Sequence, residues 1–249
     1  MSARTIAVFL IFALMFAAAS PLFADGEEKL VGYWRFDEGE GLAIAEAAGK
    51  GPAARILNDG RGVKWVAGRR GQAVEFSGGN NSQRNVAGCI AIEGLDDVDW
   101  SQGLTIELWI RFTRIDRSQT YEIVSNTLGD HGKGFRFRLS WLKLELLSGE
   151  GSRSKTWGAG SQPNRWRFQT DQWYHLAGTY DASRFRVYID GELAGQSAAL
   201  QLTPGDKTVY VGAYRGGYAY GLNAVVDDLK LYNAARSDAQ IVMAAKLGL

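Results

Sequence analysis

The alternation of apolar and polar positions is sharpest between Trp173 and Gly195. Trp173, His175, Ala177 and Thr179 alternate with Tyr174, Leu176, Gly178 and Tyr180, the period of two that marks a strand with two different faces. Asp181, Ala182 and Ser183 form a short polar connection of the kind that joins antiparallel neighbours. In the next strand Phe185, Val187 and Ile189 point one way and Arg184, Arg186 and Tyr188 the other. Asp190-Gly191 is a strong two-residue hairpin signal, and Glu192, Leu193 and Ala194 follow it. The pattern predicts an antiparallel meander whose apolar face the rest of the chain must bury.

The same period recurs on both sides of this meander. Leu104, Ile106, Leu108, Ile110 and Phe112 share one face of a strand, with Thr105, Glu107, Trp109 and Arg111 on a wetter face. Strands are also expected at Val31 to Phe36, Tyr121 to Ser125, Phe135 to Leu139, Lys207 to Tyr214 and Val225 to Tyr232. Leu142, Leu144 and Leu146 alternate with Lys143 and Glu145, so opposite charges can face neighbouring strands. Shorter apolar pieces lie at Arg55 to Leu57, Val63 to Val66, Gln72 to Phe76 and Cys89 to Ile92, with a turn at Gly68-Arg69-Arg70-Gly71. Leu42 to Ala54 is alanine-rich, but Gly49, Gly51 and Pro52 cut it to a loop with at most one helical turn. Ser77 to Asn85 reads as an exposed loop, and Ser148 to Thr170 as a long loop or irregular hairpin. Ser237 with Gln240 forms a capping box before a short helix whose apolar residues, Ile241, Val242, Ala245 and Leu247, can lie on a sheet. Many short strands without βαβ spacing predict an all-β, two-sheet antiparallel sandwich with a short C-terminal helix. We read one domain over residues 29–246.

Composition adds the compartment. Ile6 to Ala19 is wholly apolar after Arg4, and Ala17, Ala18, Ala19 and Ala24 offer small residues for cleavage. Residues 1–24 are expected to be a secretory signal peptide, leaving no stable transmembrane anchor and a secreted, periplasmic or cell-envelope protein. The processing region has no cysteine to carry a lipid. Cys89 is the only cysteine in 249 residues, so the fold stands on burial without an intrachain disulfide. The chain has 28 Lys and Arg against 27 Asp and Glu, and loss of Arg4 with the leader brings it to neutrality. A neutral exported protein has no overall field to gather nucleic acid, which is not expected as a partner.

On Tyr33-Trp34-Arg35-Phe36-Asp37-Glu38, Gly68 to Phe76 with Gly78, Leu104 to Ile110, Trp173-Tyr174-His175-Leu176-Ala177, Thr179-Tyr180-Asp181, Val187 to Leu193, Val211-Gly212 and Val226 to Asn233, the chain resembles the laminin-G-like, concanavalin A-like jelly-roll family of lectin and glucanase folds. The resemblance covers nearly all of the chain after the leader and implies two packed antiparallel sheets. It also implies exported proteins that bind glycans or other proteins, sometimes with calcium. Many members carry an Asp shortly before a Ser-Gly after the first strand. Here that place reads Glu46-Ala47-Ala48-Gly49, which weakens a calcium site.

Candidate chemistry is sparse. A retaining glycosidase needs two carboxylates about 5 Å apart. Glu93, Asp96, Asp97 and Asp99 sit in a loop broken by Gly94 and Leu95, and the strand from Leu104 carries only Glu107, so no catalytic residue is assigned and no enzyme expected. Asp37 with Asp227 is the best calcium pair on offer, yet no compact run of oxygen ligands surrounds it. An Asp227 hydrogen-bonded to backbone is the stronger reading, and no metal or other cofactor is assigned. His131, in a turn, and His175, a satisfied sheet residue, are the only histidines and do not suggest zinc.

Eight tryptophans and ten tyrosines exceed what a sandwich core of this size requires. Sugar rings stack on such faces while polar groups fix their orientation. Trp157, Trp166, Tyr214, Tyr218 and Tyr220, in or beside loops, are therefore the ligand candidates, with Arg165 from the interleaved series Arg153, Lys155, Arg165 and Arg167. Trp34, Trp109 and Trp173, on regular strands, read as structural. These features favour a noncatalytic exported domain that binds extracellular or cell-envelope carbohydrate; a structural or protein-interaction domain of the envelope is the alternative.

Overall fold

The computed structural model describes residues 29–78, 87–127, 132–152, 155–162 and 165–248. The leader, most of the Ser77 to Asn85 loop, His131 and Arg153 lie outside the described residues. The sixteen strands are β1 (Leu30–Trp34), β2 (Ala43–Ile44), β3 (Ala54–Ile56), β4 (Val63–Ala67), β5 (Gln72–Ser77), β6 (Ile90–Ile92), β7 (Leu104–Phe112) and β8 (Thr120–Ser125). They continue as β9 (Arg136–Ser140), β10 (Lys143–Gly149), β11 (Thr156–Gly160), β12 (Trp173–Tyr180), β13 (Phe185–Ile189), β14 (Glu192–Gln196), β15 (Val209–Val211) and β16 (Asn223–Tyr232). One helix, α1 (Asp238–Leu247), follows.

The strands form two antiparallel sheets packed face to face. The first runs β14-β13-β12-β7-β16-β5-β4, with β1 also on β16; the second runs β11-β10-β9-β8-β15-β6-β3-β2. The predicted meander is β12-β13-β14, and Asp190-Gly191 turns it with both residues at positive φ, as the two-residue hairpin requires. Between the sheets lie Ile106, Leu108, Ile110 and Phe112 from β7 and Leu176 from β12, facing Phe137, Leu144 and Leu146 from the second sheet. Of the two readings of Ser148 to Thr170, a long loop or an irregular hairpin, its first part is a hairpin, since β11 pairs with β10 before the chain becomes irregular. Leu42 to Ala54 holds the two-residue strand β2 and no helical turn.

Two expectations about faces are corrected. The second face of β7 is not wet: Thr105, Glu107 and Trp109 are all buried. Arg236 reaches Glu107, and the Arg69 guanidinium lies 3.7 Å from the centre of the Trp109 ring. The predicted capping box of α1 is present, but Ile241 and Ala244 are its buried residues and Leu247 is exposed. Ile241 packs with Ala177 and Tyr188 on the outer face of the first sheet, while the Tyr188 hydroxyl donates to Asp238 at 2.7 Å.

Strand β16 changes partners midway. Its first half pairs with β5, through Val226 and Val74, and its second half with β1, through Lys230 and Tyr33. The change occurs at a bulge after Asp227, where Asp228 is left-handed (φ 54°). Cys89 is buried, and burial pushes its thiol up to about 12, so it is an unreactive core residue.

Candidate functional site

The outer face of the second sheet holds the candidate site. Because side chains alternate across a strand, burying Phe137 and Leu139 of β9 and Leu144 and Leu146 of β10 sends Arg138, Ser140, Lys143 and Glu145 outward. The register places Glu145 opposite Arg138 and Lys143 opposite Ser140. Glu145 accepts from Arg138 Nε at 2.9 Å, the cross-strand charge pairing expected from the sequence, and lies 3.4 Å from Lys143 Nζ on its own strand.

These residues floor a groove of about 580 Å³. Its lining also takes Trp141 and Leu142 from the β9–β10 turn, Trp166 and Arg167 from the segment before β12, and Arg117 from the β7–β8 connection. The turn is a two-residue hairpin with both central residues left-handed, Trp141 at φ 52° and Leu142 at φ 62°. That geometry suits Asn-Gly; two bulky side chains there carry backbone strain of about 1–2 kcal/mol each. Trp141 is 70% exposed, the most exposed large apolar side chain among the described residues, and the backbone N–H of Trp141 donates to the Gln119 carbonyl at 3.1 Å. Trp166 packs partly on the core, and its buried indole N–H has no acceptor among the described residues.

Of the six candidates read from sequence, Trp166 lines the groove and Arg165 stands beside it, with its guanidinium 5.6 Å from the centre of the Trp166 ring. Arg165 also lies 3.5 Å from Glu192. Trp157 is elsewhere, half-buried on the core side of edge strand β11, with its indole N–H donating to the Gln201 carbonyl at 2.6 Å. Tyr214, Tyr218 and Tyr220 do not line the groove. Tyr214 is fully buried and meets Tyr220 edge to face at 5.9 Å. Arg136, paired with Glu122 at 2.5 Å, lies 5.0 and 5.4 Å from these two rings, and Tyr218 N–H donates to the Tyr214 carbonyl. The tyrosines thus cover a buried ion pair.

Trp141, Arg117, Arg138, Lys143 and Glu145 are groove residues that the sequence reading did not single out. A signal existed for the first. Inward positions are odd at Phe135, Phe137 and Leu139 but even at Leu144 and Leu146, and such a parity switch means a turn between them.

Four of the five carboxylates considered for catalysis, all but Asp97, are otherwise engaged. Asp96 lies 2.6 Å from Lys207, Asp99 accepts from Ser101 N–H in a short 3-10 turn, and Glu93 lies 3.9 Å from Arg55. Glu107 is buried, 2.5 Å from Arg236 and 3.4 Å from His175 Nε2. His175 is less satisfied than expected, because its Nδ1 has no partner among the described residues.

The calcium pair is also occupied by the protein. Asp227 accepts from Arg69 and Arg70 N–H, while Asp37 accepts from Gln72 N–H and pairs with Arg35. Burial, with the nearby Asp228 carboxylate, raises Asp227 to about 7 despite those N–H groups. Glu46 accepts from the N–H groups of Tyr33, Ala48 and Lys50; burial opposes ionisation, but these bonds hold its carboxyl below the usual range. Among the described residues no group of three or more His, Cys, Asp or Glu is placed to hold a metal, and no helix is long and apolar enough to cross a membrane.

The family model of the concanavalin A-like lectin/glucanases superfamily matches residues 84–242. No curated protein matches the chain. Similar solved structures include the binding domain of Paraclostridial Mosquitocidal Protein 1, with 16% identity and a TM-score of 0.65 over 89% of this chain and 53% of that one. Domain 4 of AbnA, a GH43 extracellular arabinanase from Geobacillus stearothermophilus solved with arabinotriose, is 19% identical with a TM-score of 0.65, covering 87% of this chain and 98% of that one. The binding domain of botulinum neurotoxin serotype D is 14% identical with a TM-score of 0.64, over 89% and 52%. The chain spans about half the length of these toxin binding domains. Such low identities establish a shared fold.

Proposed function

We propose that this chain, which belongs to the concanavalin A-like lectin/glucanases superfamily, is a noncatalytic domain that binds an extracellular or cell-envelope glycan in the groove between Trp141 and Trp166. The observation that carries the reading is Trp141, a large apolar ring left 70% exposed on a strained turn at the wall of a polar groove. A ring that solvent penalises and a backbone that left-handed geometry penalises are retained together where a ligand can cover the first. Trp141 and Trp166 would stack on sugar rings through their C–H faces, and Arg138, Glu145 and Lys143 would orient the hydroxyls. The resemblance in fold to domain 4 of AbnA, solved with arabinotriose, supports a glycan over other small ligands. Residues 1–24 fit the role as an export signal.

The test is affinity electrophoresis of the exported chain against arabinan, pectin, cellulose and mannan, with Trp141→Ala and Trp166→Ala beside the parent. We expect saturable retardation by at least one polymer, reduced at least about tenfold in either variant while the thermal transition persists, a loss of about 1.4 kcal/mol or more. Absence of binding at millimolar sugar would reject the reading and favour an envelope protein as the partner.

A further inference from the structure

We infer that the groove selects anionic glycans, chains carrying uronate carboxylates or sulfate esters, and that Arg117 and Arg167 are the residues that make the selection. The inference rests on the glycan reading above and adds the ligand's charge. The groove is lined by four cationic side chains, Arg117, Arg138, Lys143 and Arg167, against a single carboxylate, Glu145. Glu145 is already engaged by two of them, Arg138 at 2.9 Å and Lys143 at 3.4 Å. Arg117 and Arg167 are exposed and have no acidic partner among the described residues. The excess charge is local, because the whole chain carries only +1. A concave site lined by one sign of charge focuses the field on what enters it, which a neutral chain cannot do from its surface at large.

The kind of cation matters as well as the sign. A guanidinium is a planar fork matched to the two oxygens of a carboxylate or to an edge of a sulfate, and it costs less desolvation than an ammonium. In this groove both unpaired cations are arginines, and both line the same concavity as the indoles of Trp141 and Trp166. A pyranose ring presents its apolar C–H face and an equatorial anionic group at nearly right angles. Stacking on an indole with the anion toward a neighbouring fork satisfies both at once. A neutral sugar would leave the two guanidinium groups uncompensated next to a partly dehydrated ring.

The experiment compares matched polymers by titration calorimetry: polygalacturonate with its carboxyl-reduced form, and dextran sulfate with dextran, each at about 20 and about 150 mM NaCl, with the exported full chain. We expect the acid member of at least one pair to bind about tenfold or more tightly than its neutral partner. The pair that shows the difference tells carboxylate from sulfate. In the variant with Arg117→Gln and Arg167→Gln the acid-to-neutral ratio should fall below about 2, with thermal unfolding showing that the fold persists. Trp141→Ala should weaken the acid polymer as well, which binding by loose counterion exchange on another surface would not show. Equal affinity within both pairs, or a preference that survives the double arginine variant, overturns the inference while the glycan reading stands. If none of the four polymers and none of the earlier polysaccharide panel binds, the glycan reading itself fails and this inference with it.

Discussion

Asp227 Oδ2, at the bulge of β16, accepts a hydrogen bond from the backbone N–H of Arg69 at 2.8 Å and a longer one from Arg70 at 3.3 Å. The carboxylate thereby closes the Gly68–Gly71 turn between β4 and β5, and Asp37 meets the far end of the same turn through the N–H of Gln72. Neither glycine could be replaced without a collision, because a Cβ at Gly68 would strike Asp227 and one at Gly71 would strike Asp37. The Gly68 turn and Asp227, two of the several places on which the family resemblance rested, thus meet in a structural clamp, set where β16 passes from β5 to β1.

Titration of that clamp has a definite sign. Burial and the Asp228 carboxylate raise Asp227 to about 7 from 3.8. Between about pH 4 and about pH 7 the folded chain holds a proton that the unfolded chain has lost, so this group's contribution falls as pH rises through that window. Asp227→Asn keeps a carbonyl acceptor for Arg69 and cannot ionise. Urea unfolding should show the variant gaining on the parent by about 1–2 kcal/mol between pH 4 and pH 7, after allowance for solvent near the site. A parent-minus-variant difference that is flat with pH would show that Asp227 ionises normally in the fold.

Glu46 acts in the opposite direction. Held below the usual carboxylate range by three backbone donors, it contributes stability above its unfolded value that is lost as the medium becomes more acid. Glu46→Ala leaves the N–H groups of Tyr33, Ala48 and Lys50 without their acceptor and should cost about 2–3 kcal/mol at neutral pH, read as a lower thermal midpoint. Because Glu46, Asp37 and Asp227 are all engaged by the protein itself, adding calcium or a chelator should leave that midpoint within about 1 °C. A clear rise with calcium would mean that the clamp opens to admit the ion.

The buried face of β7 gives a third outcome. Glu107 is 2% exposed and sits between Arg236 and His175. Glu107→Gln leaves the Arg236 guanidinium partly buried without its counter-charge, and removal of one partner from such a pair typically costs about 3–5 kcal/mol. Arg236 retains some access to water, so we expect the lower end of that range by equilibrium unfolding. A loss below about 1 kcal/mol would show that the pair adds little beyond its desolvation.

The sequence disclosed the layers better than the site, for physical reasons that can be named. A strand buried on one side writes its period into the chain, so Leu104 to Phe112 and Trp173 to Tyr180 coincide with β7 and β12. Asp190-Gly191 and the Ser237–Gln240 capping box are local devices with local signatures, and both are present. What covers an outer face is not local. Nothing near Glu107 or Trp109 in the chain announces that Arg236 and Arg69 will close over them. Likewise Tyr214 looked like a loop aromatic but is buried and, with the half-buried Tyr220, lies over the Arg136–Glu122 pair, whose two members are fourteen residues apart. The groove combines residues of the β7–β8 connection, the β9–β10 turn and the loop at 165–168, and of its two tryptophans only Trp166 stood in a segment with loop chemistry.

Trp141 escaped notice because the two central positions of its turn lack every residue that usually marks one. Ser140-Trp141-Leu142-Lys143 has no Gly, Asn, Asp or Pro, yet it adopts the left-handed pair that those residues favour. If ligand binding is what retains the strained tryptophan, relieving the strain should stabilise the fold and weaken the site together. Replacing both residues, Trp141→Asn with Leu142→Gly, provides the turn's preferred side chains. It should raise the unfolding free energy by about 1–2 kcal/mol while lowering glycan affinity at least about tenfold. Leu142→Gly alone relaxes one left-handed residue and leaves the ring in place, so it should recover part of the stability and keep most of the affinity. Denaturant unfolding and calorimetric titration on the same three proteins read both quantities. Loss of stability in the double variant would mean that Trp141 is held by packing, and its exposure would then cease to be evidence for a ligand.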